Sequence, residues 1–411
     1  MKMGYRVVVT GIGVIAPNGI GKEFFWEALE NGKSGIKKIS RFDPSGLPCQ
    51  VAGEIPQFTP DQFIDRKSTR RMARSSQFAV CGAKMALIDA GLDTGNIDPE
   101  DGLISLGIST SAMDLIESQH QNFLKYGARR VIPYGIVAAT PHRVMGELIE
   151  HLNWKTQTIL LASACASSTD AIGVSFQKIR KGEVRIALAG ATDAAITPLI
   201  MAGLSSAGLT PEFNENPEKA SRPFDRLRCG GILSEGCGIV VLEELNYAVS
   251  RGAKIYGEII GYGTSGEIFQ ENPSSGLKNA IRRAFNDSGI SPGSVDGIAA
   301  HAPSDPLIDK IETYIIKDIF GTRAYDIPVS SIKSMTGNPL GCAGVFQTIA
   351  AMLWFNKNIV TPTINYEYPD PECDLFYVPN KAQNLVVNTV LLNCGGLGGT
   401  CSALLCRRIN I

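Results

Sequence analysis

The chain holds ten cysteines and four histidines, and a thiol beside an imidazole is a nucleophile with its base. Cys165 stands apart from the other cysteines. It lies in Ser163-Ala-Cys165-Ala-Ser-Ser168, between the apolar run Gln157 to Leu161 and an amphipathic pattern from Ala166 to Lys181. A strand, a tight turn of small residues and a helix present the nucleophile in many acyl-transfer enzymes. The small residues leave room for substrate, and the unpaired N–H groups of the helix start favour a thiolate. The remaining cysteines show no C-x-x-C pair and no regular spacing, so they read as buried, inert thiols and not as a zinc or disulfide framework.

His301 is the imidazole that spacing offers. It ends Gly297-Ile-Ala-Ala300 and precedes Ala302-Pro303-Ser304-Asp305-Pro306, as a residue delivered to a cleft by the carboxyl end of a strand does; a structural histidine fits the same spacing. His120 and His151 lie among Glu, Gln and Asn on helical patterns and are expected in solvent, while His142 follows a proline at a helix start. Ser330-Ser-Ile-Lys333-Ser-Met-Thr-Gly-Asn338-Pro-Leu-Gly341 supplies a cation and an amide in a loop before another helix. Asn393-Cys-Gly395-Gly396-Leu397-Gly-Gly-Thr400 is either a tight hairpin or a place where backbone N–H groups approach a substrate oxygen. Gly11-Ile-Gly13-Val-Ile-Ala16 matches a dinucleotide fingerprint, but Pro17-Asn-Gly19 intervenes before the next helical pattern, which disfavours a nucleotide site.

The elements that must position these residues are short apolar runs alternating with helical patterns, the signature of an α/β fold with buried strands. Strands are expected at Arg6 to Thr10, Leu103 to Ile108, Gln157 to Leu161, Ile186 to Ala189, Gly238 to Leu242, Ile255 to Ile260, Gly297 to Ala300, Ile327 to Ser330, Val390 to Asn393 and Ser402 to Cys406. The principal helices are expected at Phe24 to Glu30, Ser75 to Ala90, Ala166 to Lys181, Leu277 to Asp287, Pro306 to Ile319 and Ala343 to Phe355. The pattern restarts after Leu245, dividing the 411 residues into a first half, 1–250, with Cys165 and a second, 251–411, with His301 and Asn338. Each half places a reactive residue just after a buried strand, a weak two-fold echo. The stretch from Thr210 to Asp225, rich in Pro, Asn and Glu, reads as a surface excursion.

A net charge of −1 gives no global field to recruit nucleic acid or an anionic membrane. No window approaches ~18 uninterrupted apolar residues, and the N-terminus lacks a signal-peptide pattern. A reducing cytoplasm is the expected compartment.

Taken together the motifs resemble the elongating branch of the β-ketoacyl-acyl carrier protein synthase family, from VVVTGIGVIAPNG through SACASS, SRPFDRLRCGGILSEGCGIVVLEE, HAPSDPLIDKIE, SSIKSMTGNPLGCAG and PTINYEYPDPECDLFYVPN to the GGT turn. The resemblance implies a thiolase-like fold, α/β, with two related halves in a five-layered αβαβα core, usually dimeric. It implies Cys165 as acyl-accepting nucleophile, His301 as catalytic histidine supported by the charged pair Lys333 and Glu312, and the N–H groups of Cys165 and Leu397 as oxyanion hole, with Gly395 and Gly396 in the gate. It further implies no cofactor of the protein's own: substrates arrive on the phosphopantetheine arm of an acyl carrier protein, and malonyl-carrier loses CO2 to give the carbanion that attacks the acyl thioester.

Three departures from the family pattern bear on activity. Asn338 replaces the histidine of T-G-H, although an amide still donates an N–H to an enolate oxygen. Pro303 and Asp305 replace both threonines of H-G-T-x-T, removing two hydroxyls and adding a charge expected near the arm. Leu397 replaces the gating Phe, with Gly395 and Cys401 at two further divergent positions. An acidic carrier suits two basic groups, Arg66, Lys67, Arg70, Arg71 and Arg74, and Lys125, Arg129 and Arg130. The reading is condensation in polyketide or specialised fatty-acid synthesis. Its alternatives are a chain-length-factor-like subunit paired with a second ketosynthase-like chain, and acyl transfer without condensation.

Overall fold

The computed structural model describes residues 4–268 and 274–409. Ten strands, each overlapping a predicted apolar run, build two mirrored five-stranded halves of one continuous sheet; the strand expected to end at Thr10 runs on to Ala16, and the one expected to end at Ile260 runs on to Gly266. In the first half these are β1 (Val7–Ala16), β2 (Gly102–Gly107), β3 (Gln157–Leu161), β4 (Ile186–Asp193) and β5 (Gly236–Glu244), in the order β3-β2-β4-β5-β1. In the second they are β6 (Gly257–Gly266), β7 (Gly297–Ala299), β8 (Val329–Ser330), β9 (Thr389–Gly396) and β10 (Thr400–Arg407), in the order β6-β10-β9-β7-β8. The pairings mirror too: β2 lies parallel to β3 and β4 as β7 lies parallel to β8 and β9, while β4-β5-β1 and β9-β10-β6 are antiparallel. Val7–Val9 of β1 pairs with Gly257–Ile259 of β6, so one sheet runs on into the other.

Helices complete the layers. α1 (Arg74–Ala90) and α2 (Arg143–Leu152) cover the outer face of the first sheet; α3 (Ser167–Lys181) sits in the centre; α4 (Ser275–Ser288) and α5 (Ile308–Phe320) lie on the second half, and α6 (Ala343–Lys357) joins α3 in the centre. α6 is buried from Ala343 through Phe355. A helix apolar on every side belongs between two sheets and not on a surface, and here Phe346, Ile349 and Leu353 pack in one cluster with strands of both halves.

The glycines of the G-x-G-x-x-A match serve packing. β1 runs unbroken to Ala16, and a Cβ on Gly11 would stand 2.3 Å from the Ala86 carbonyl oxygen and one on Gly13 1.9 Å from that of Gly82. Both glycines let α1 lie directly on the strand. The stretch from Thr210 is a surface excursion only as far as Lys219: Ser221 to Asp225 turns inward, where Phe224 stacks on Tyr377 at 3.9 Å and Asp225 accepts backbone N–H bonds from Leu227, Glu367 and Tyr368.

Candidate active site

Cys165 lies in the 3-10 turn Ala164–Ala166 that leads into α3. Ala164 has φ 51°, a conformation rarely taken by a residue with a Cβ and one costing about 1–3 kcal/mol. The bend throws Cys165 onto the wall of a cavity of about 600 Å³, which His301, Asn338 and Gly395 to Leu397 also line. Burial pushes the Cys165 thiol up; the Lys333 charge, the Asn338 side-chain amide and the Leu397 N–H all pull the other way. Desolvation outweighs the helix start, so the resting group is a thiol and not the thiolate the sequence suggested.

His301 follows β7, as the spacing predicts. Its own N–H donates to Glu312 Oε1 at 2.8 Å and Asn393 Oδ1 at 3.0 Å, and the Ala302 N–H donates to Glu312 Oε2 at 2.7 Å. Lys333 Nζ donates to the His301 carbonyl and lies 3.4 Å from its Nδ1. Burial, reinforced by the Lys333 charge, holds the imidazole pKa well below its ordinary value, so the ring is neutral. An ammonium at Nδ1 assigns the ring proton to Nε2, which makes His301 a hydrogen-bond donor. Lys333 and Glu312 were expected as a charged pair. They hold His301 from two sides: Glu312 clamps the backbone of His301 and Ala302, Lys333 fixes the ring, and the Lys333 charge favours the Glu312 carboxylate.

Asn338 is held by its backbone: its N–H donates to Ile232 O at 2.6 Å, and its carbonyl accepts from Ser234 N–H at 3.0 Å. Its amide shares the cavity wall with Cys165 and acts to lower that thiol's pKa, and its buried Oδ1 has no hydrogen-bond partner among the described residues. The glycine-rich turn is a hairpin, with Gly396 opposite Thr400, and it brings Leu397, whose N–H acts to lower the Cys165 pKa, onto the same cavity. The Leu397 side chain is 51% exposed. A Cβ on Gly396 would stand 2.6 Å from Thr400 Oγ1 and 2.8 Å from the Ser163 carbonyl oxygen, so a glycine here lets the hairpin press against the nucleophile turn.

Asp305 lines the cavity, but its Oδ1 accepts from the N–H groups of Leu307 and Ile308, both at 2.9 Å. With this oxygen it caps the start of α5 while the residue stays on the cavity wall. Pro303 is buried beside it. The rest of the lining is largely aliphatic, including Leu204, Leu209, Leu277, Ile308 and Ile311.

Arg66, Lys67, Arg70, Arg71, Lys125, Arg129 and Arg130 are exposed, and the Tyr134 hydroxyl donating to Arg70 O at 3.3 Å ties the two basic groups together. Arg74 leaves the cluster: its guanidinium is bound to the buried Glu235 at 2.8 and 2.7 Å. His120 and His142 are exposed, whereas His151 is half-buried with Nε2 4.0 Å from Glu147. The sequence reading missed Asn393, Asp193 and Asp170. Each is a lone acid or amide in an apolar or small-residue run, and that is the signal that could have found them.

This architecture, mirrored α/β halves around a buried thiol, defines a thiolase-fold condensing enzyme. The Beta-ketoacyl synthase N-terminal domain family matches residues 5–248 and its C-terminal domain family residues 256–367; the chain belongs to the β-ketoacyl synthase family. It is 40% identical over 398 residues to a 3-oxoacyl-[acyl-carrier-protein] synthase 2 of Synechocystis sp., covering 96% of each chain. Among solved structures it is similar to the ishigamide ketosynthase/chain length factor, with a TM-score of 0.93 and 31% identity over 99% of this chain and 100% of that one. It is also similar to a type II polyketide synthase ketosynthase in complex with its acyl-carrier protein and bound to the hexaketide, with a TM-score of 0.91 and 30% identity over 99% and 100%. No helix among the described residues is long and apolar enough to cross a membrane.

Proposed function

We propose that the protein joins an acyl thioester to malonyl-carrier by decarboxylative condensation through a Cys165 acyl-enzyme. The observation that carries this reading is that Cys165, a neutral His301, Asn338 and Leu397 line one cavity, where the Asn338 amide and the Leu397 N–H both act to lower the Cys165 pKa. In the first step the Cys165 thiol attacks the acyl-carrier thioester; the carrier thiol leaves with the proton. The tetrahedral oxyanion is stabilised by the N–H groups of Cys165 and Leu397. In the second, malonyl-carrier loses CO2, and its electron pair forms an enolate whose oxygen takes hydrogen bonds from His301 Nε2–H and the Asn338 amide. The enolate carbon attacks the acyl-enzyme carbonyl, the C–S bond breaks, and Cys165 regains a proton.

Both substrates come on the phosphopantetheine arm of an acyl carrier protein, whose acidic surface matches the face from Arg66 to Arg71 with Lys125, Arg129 and Arg130. The edge strand β3 and the exposed Phe123, Leu124, Ile136 and Val137 of the segment between β2 and α2 offer surface to a second ketosynthase-like chain, in a homodimer or heterodimer. Because the first step needs a free thiol, we place the protein in a reducing cytoplasm. The test is incubation with an acyl-carrier thioester and mass mapping of the adduct, then addition of malonyl-carrier. The reading stands if acyl appears on Cys165 and is consumed with release of CO2. Elongation by this chain alone, against the mixture with a second ketosynthase-like chain, separates a self-sufficient enzyme from a partner subunit.

A further inference from the structure

The two N–H donors proposed for the oxyanion come from segments far apart in sequence, the turn into α3 and the hairpin between β9 and β10, and no covalent link between them sets their spacing. Asp170 lies at the seam. It sits on α3, one turn beyond Cys165, and is nearly buried. Its Oδ2 accepts from Ser163 Oγ, on the nucleophile turn; its Oδ1 accepts from Ser402 Oγ on β10 and from the Tyr262 hydroxyl of β6 at 2.8 Å. The Ser163 carbonyl in turn accepts from Thr400 Oγ1 at 2.9 Å, at the foot of the gate hairpin, and the Ser163 N–H donates to Ser167 Oγ at 2.9 Å.

We propose that Asp170 is a positioning residue for the oxyanion hole: through Ser163 on one side and Ser402 on the other, it fixes the distance between the N–H of Cys165 and the N–H of Leu397. This rests on the acyl-transfer reading above. A carboxylate suits the task because it only accepts, and two oxygens take three hydroxyl protons. An amide of the same size accepts on one oxygen alone and turns an NH2 toward the other hydroxyl, so at least one bond must reverse. The three hydroxyls belong to different elements, α3's own turn, β10 and β6, so reversing one lets the nucleophile turn and the gate hairpin shift relative to each other. Donors displaced from the developing oxyanion lose most of their effect on the transition state while still binding substrate.

The experiment compares wild type with Asp170→Asn and Ser402→Ala, using octanoyl-carrier as acyl donor and iodoacetamide as a probe of Cys165 that needs no oxyanion hole. The expected result is an acylation kcat at least fivefold lower in both variants, with KM and the alkylation rate within twofold of wild type. A merely structural role would lower alkylation and acylation together. A kcat loss under fivefold, or one matched by the alkylation rate, overturns the proposal. If Asp170→Asn does not fold, Ser402→Ala carries the same test by removing one hydroxyl. Wild type that takes no acyl group onto Cys165 overturns the acyl-transfer reading itself, and the inference with it.

Discussion

The turn into α3 and the turn into α6 are built alike and pack against each other at the centre of the molecule. Each is a three-residue 3-10 turn, Ala164–Ala166 and Leu340–Cys342, and each begins with a non-glycine residue at positive φ, 51° and 48°. The strands before them, β3 and β8, hold equivalent places in the two sheets. Their middle residues differ. Cys165 carries the thiol; Gly341 carries nothing, and its N–H donates to Asp193 Oδ2 at 2.9 Å, where a Cβ would stand 2.6 Å from that oxygen. One bend thus presents a side chain to the cavity, and its mirror image is a socket into which a carboxylate from the other half is plugged. The two-fold echo read in the sequence therefore exists, but with different partners: Cys165 corresponds to Gly341, and His301, after β7, corresponds to the end of β2, where Ser109 and Thr110 donate their N–H groups to Asp193.

The sharpest way to break this comparison is to erase the side chain that makes it. Cys165→Ala should lower condensation by at least about a thousandfold, and mass mapping should find no acyl group on any other cysteine, Cys342 at the mirror turn included. Next comes Asn338→Ala, which removes a donor beside the sulfur and should slow CO2 release from malonyl-carrier about tenfold to a hundredfold. Equal rates for wild type and variant would make Asn338 structural.

Asp193 sharpens the other side of the comparison. Burial raises its carboxyl to about 6, against the N–H bonds from Thr110, Ser109 and Gly341, which lower it. The folded pKa lies above the unfolded one, so the folded chain holds the proton more tightly. Its stability contribution is full below pH ~4 and lost as pH climbs through 6, a difference of about 3 kcal/mol. Denaturant melts of wild type from pH 4 to 7 should show that decline, and Asp193→Asn should remove it. The smallest effect is expected at the gate: Leu397→Phe fills a half-exposed position and should slow acylation only a few-fold, measured as the burst of carrier thiol released.

What was legible in the sequence is what period and punctuation encode. All ten strands follow from apolar runs, and Cys165 and His301 follow from their places just beyond strand ends. What was not legible depends on which segments meet. Arg74 read as one more exposed cation because nothing local reveals that Glu235, far along the chain, is buried beside it. That Asp305 also caps α5 could not be read, because the cap is a matter of side-chain rotamer. Asn393, Asp193 and Asp170 stand out only as lone polar residues in apolar or small-residue runs; what each does, accepting hydrogen bonds from a distant segment, no local pattern gives.

The strand that carries the gate hairpin into the core has a consequence for how the protein comes into being. β10 is the last strand among the described residues, yet it lies in the middle of its sheet, between β6 and β9. Until it inserts, β6 and β9 expose long unpaired edges, Leu397 has no fixed place, and the cavity lacks a wall. A ribosome that has already delivered Cys165 has delivered an ordinary thiol. Competence arrives only with β10, in a step of high contact order, so a chain cut short within β10 is predicted to be a species that sticks to other strands and not a weakened enzyme.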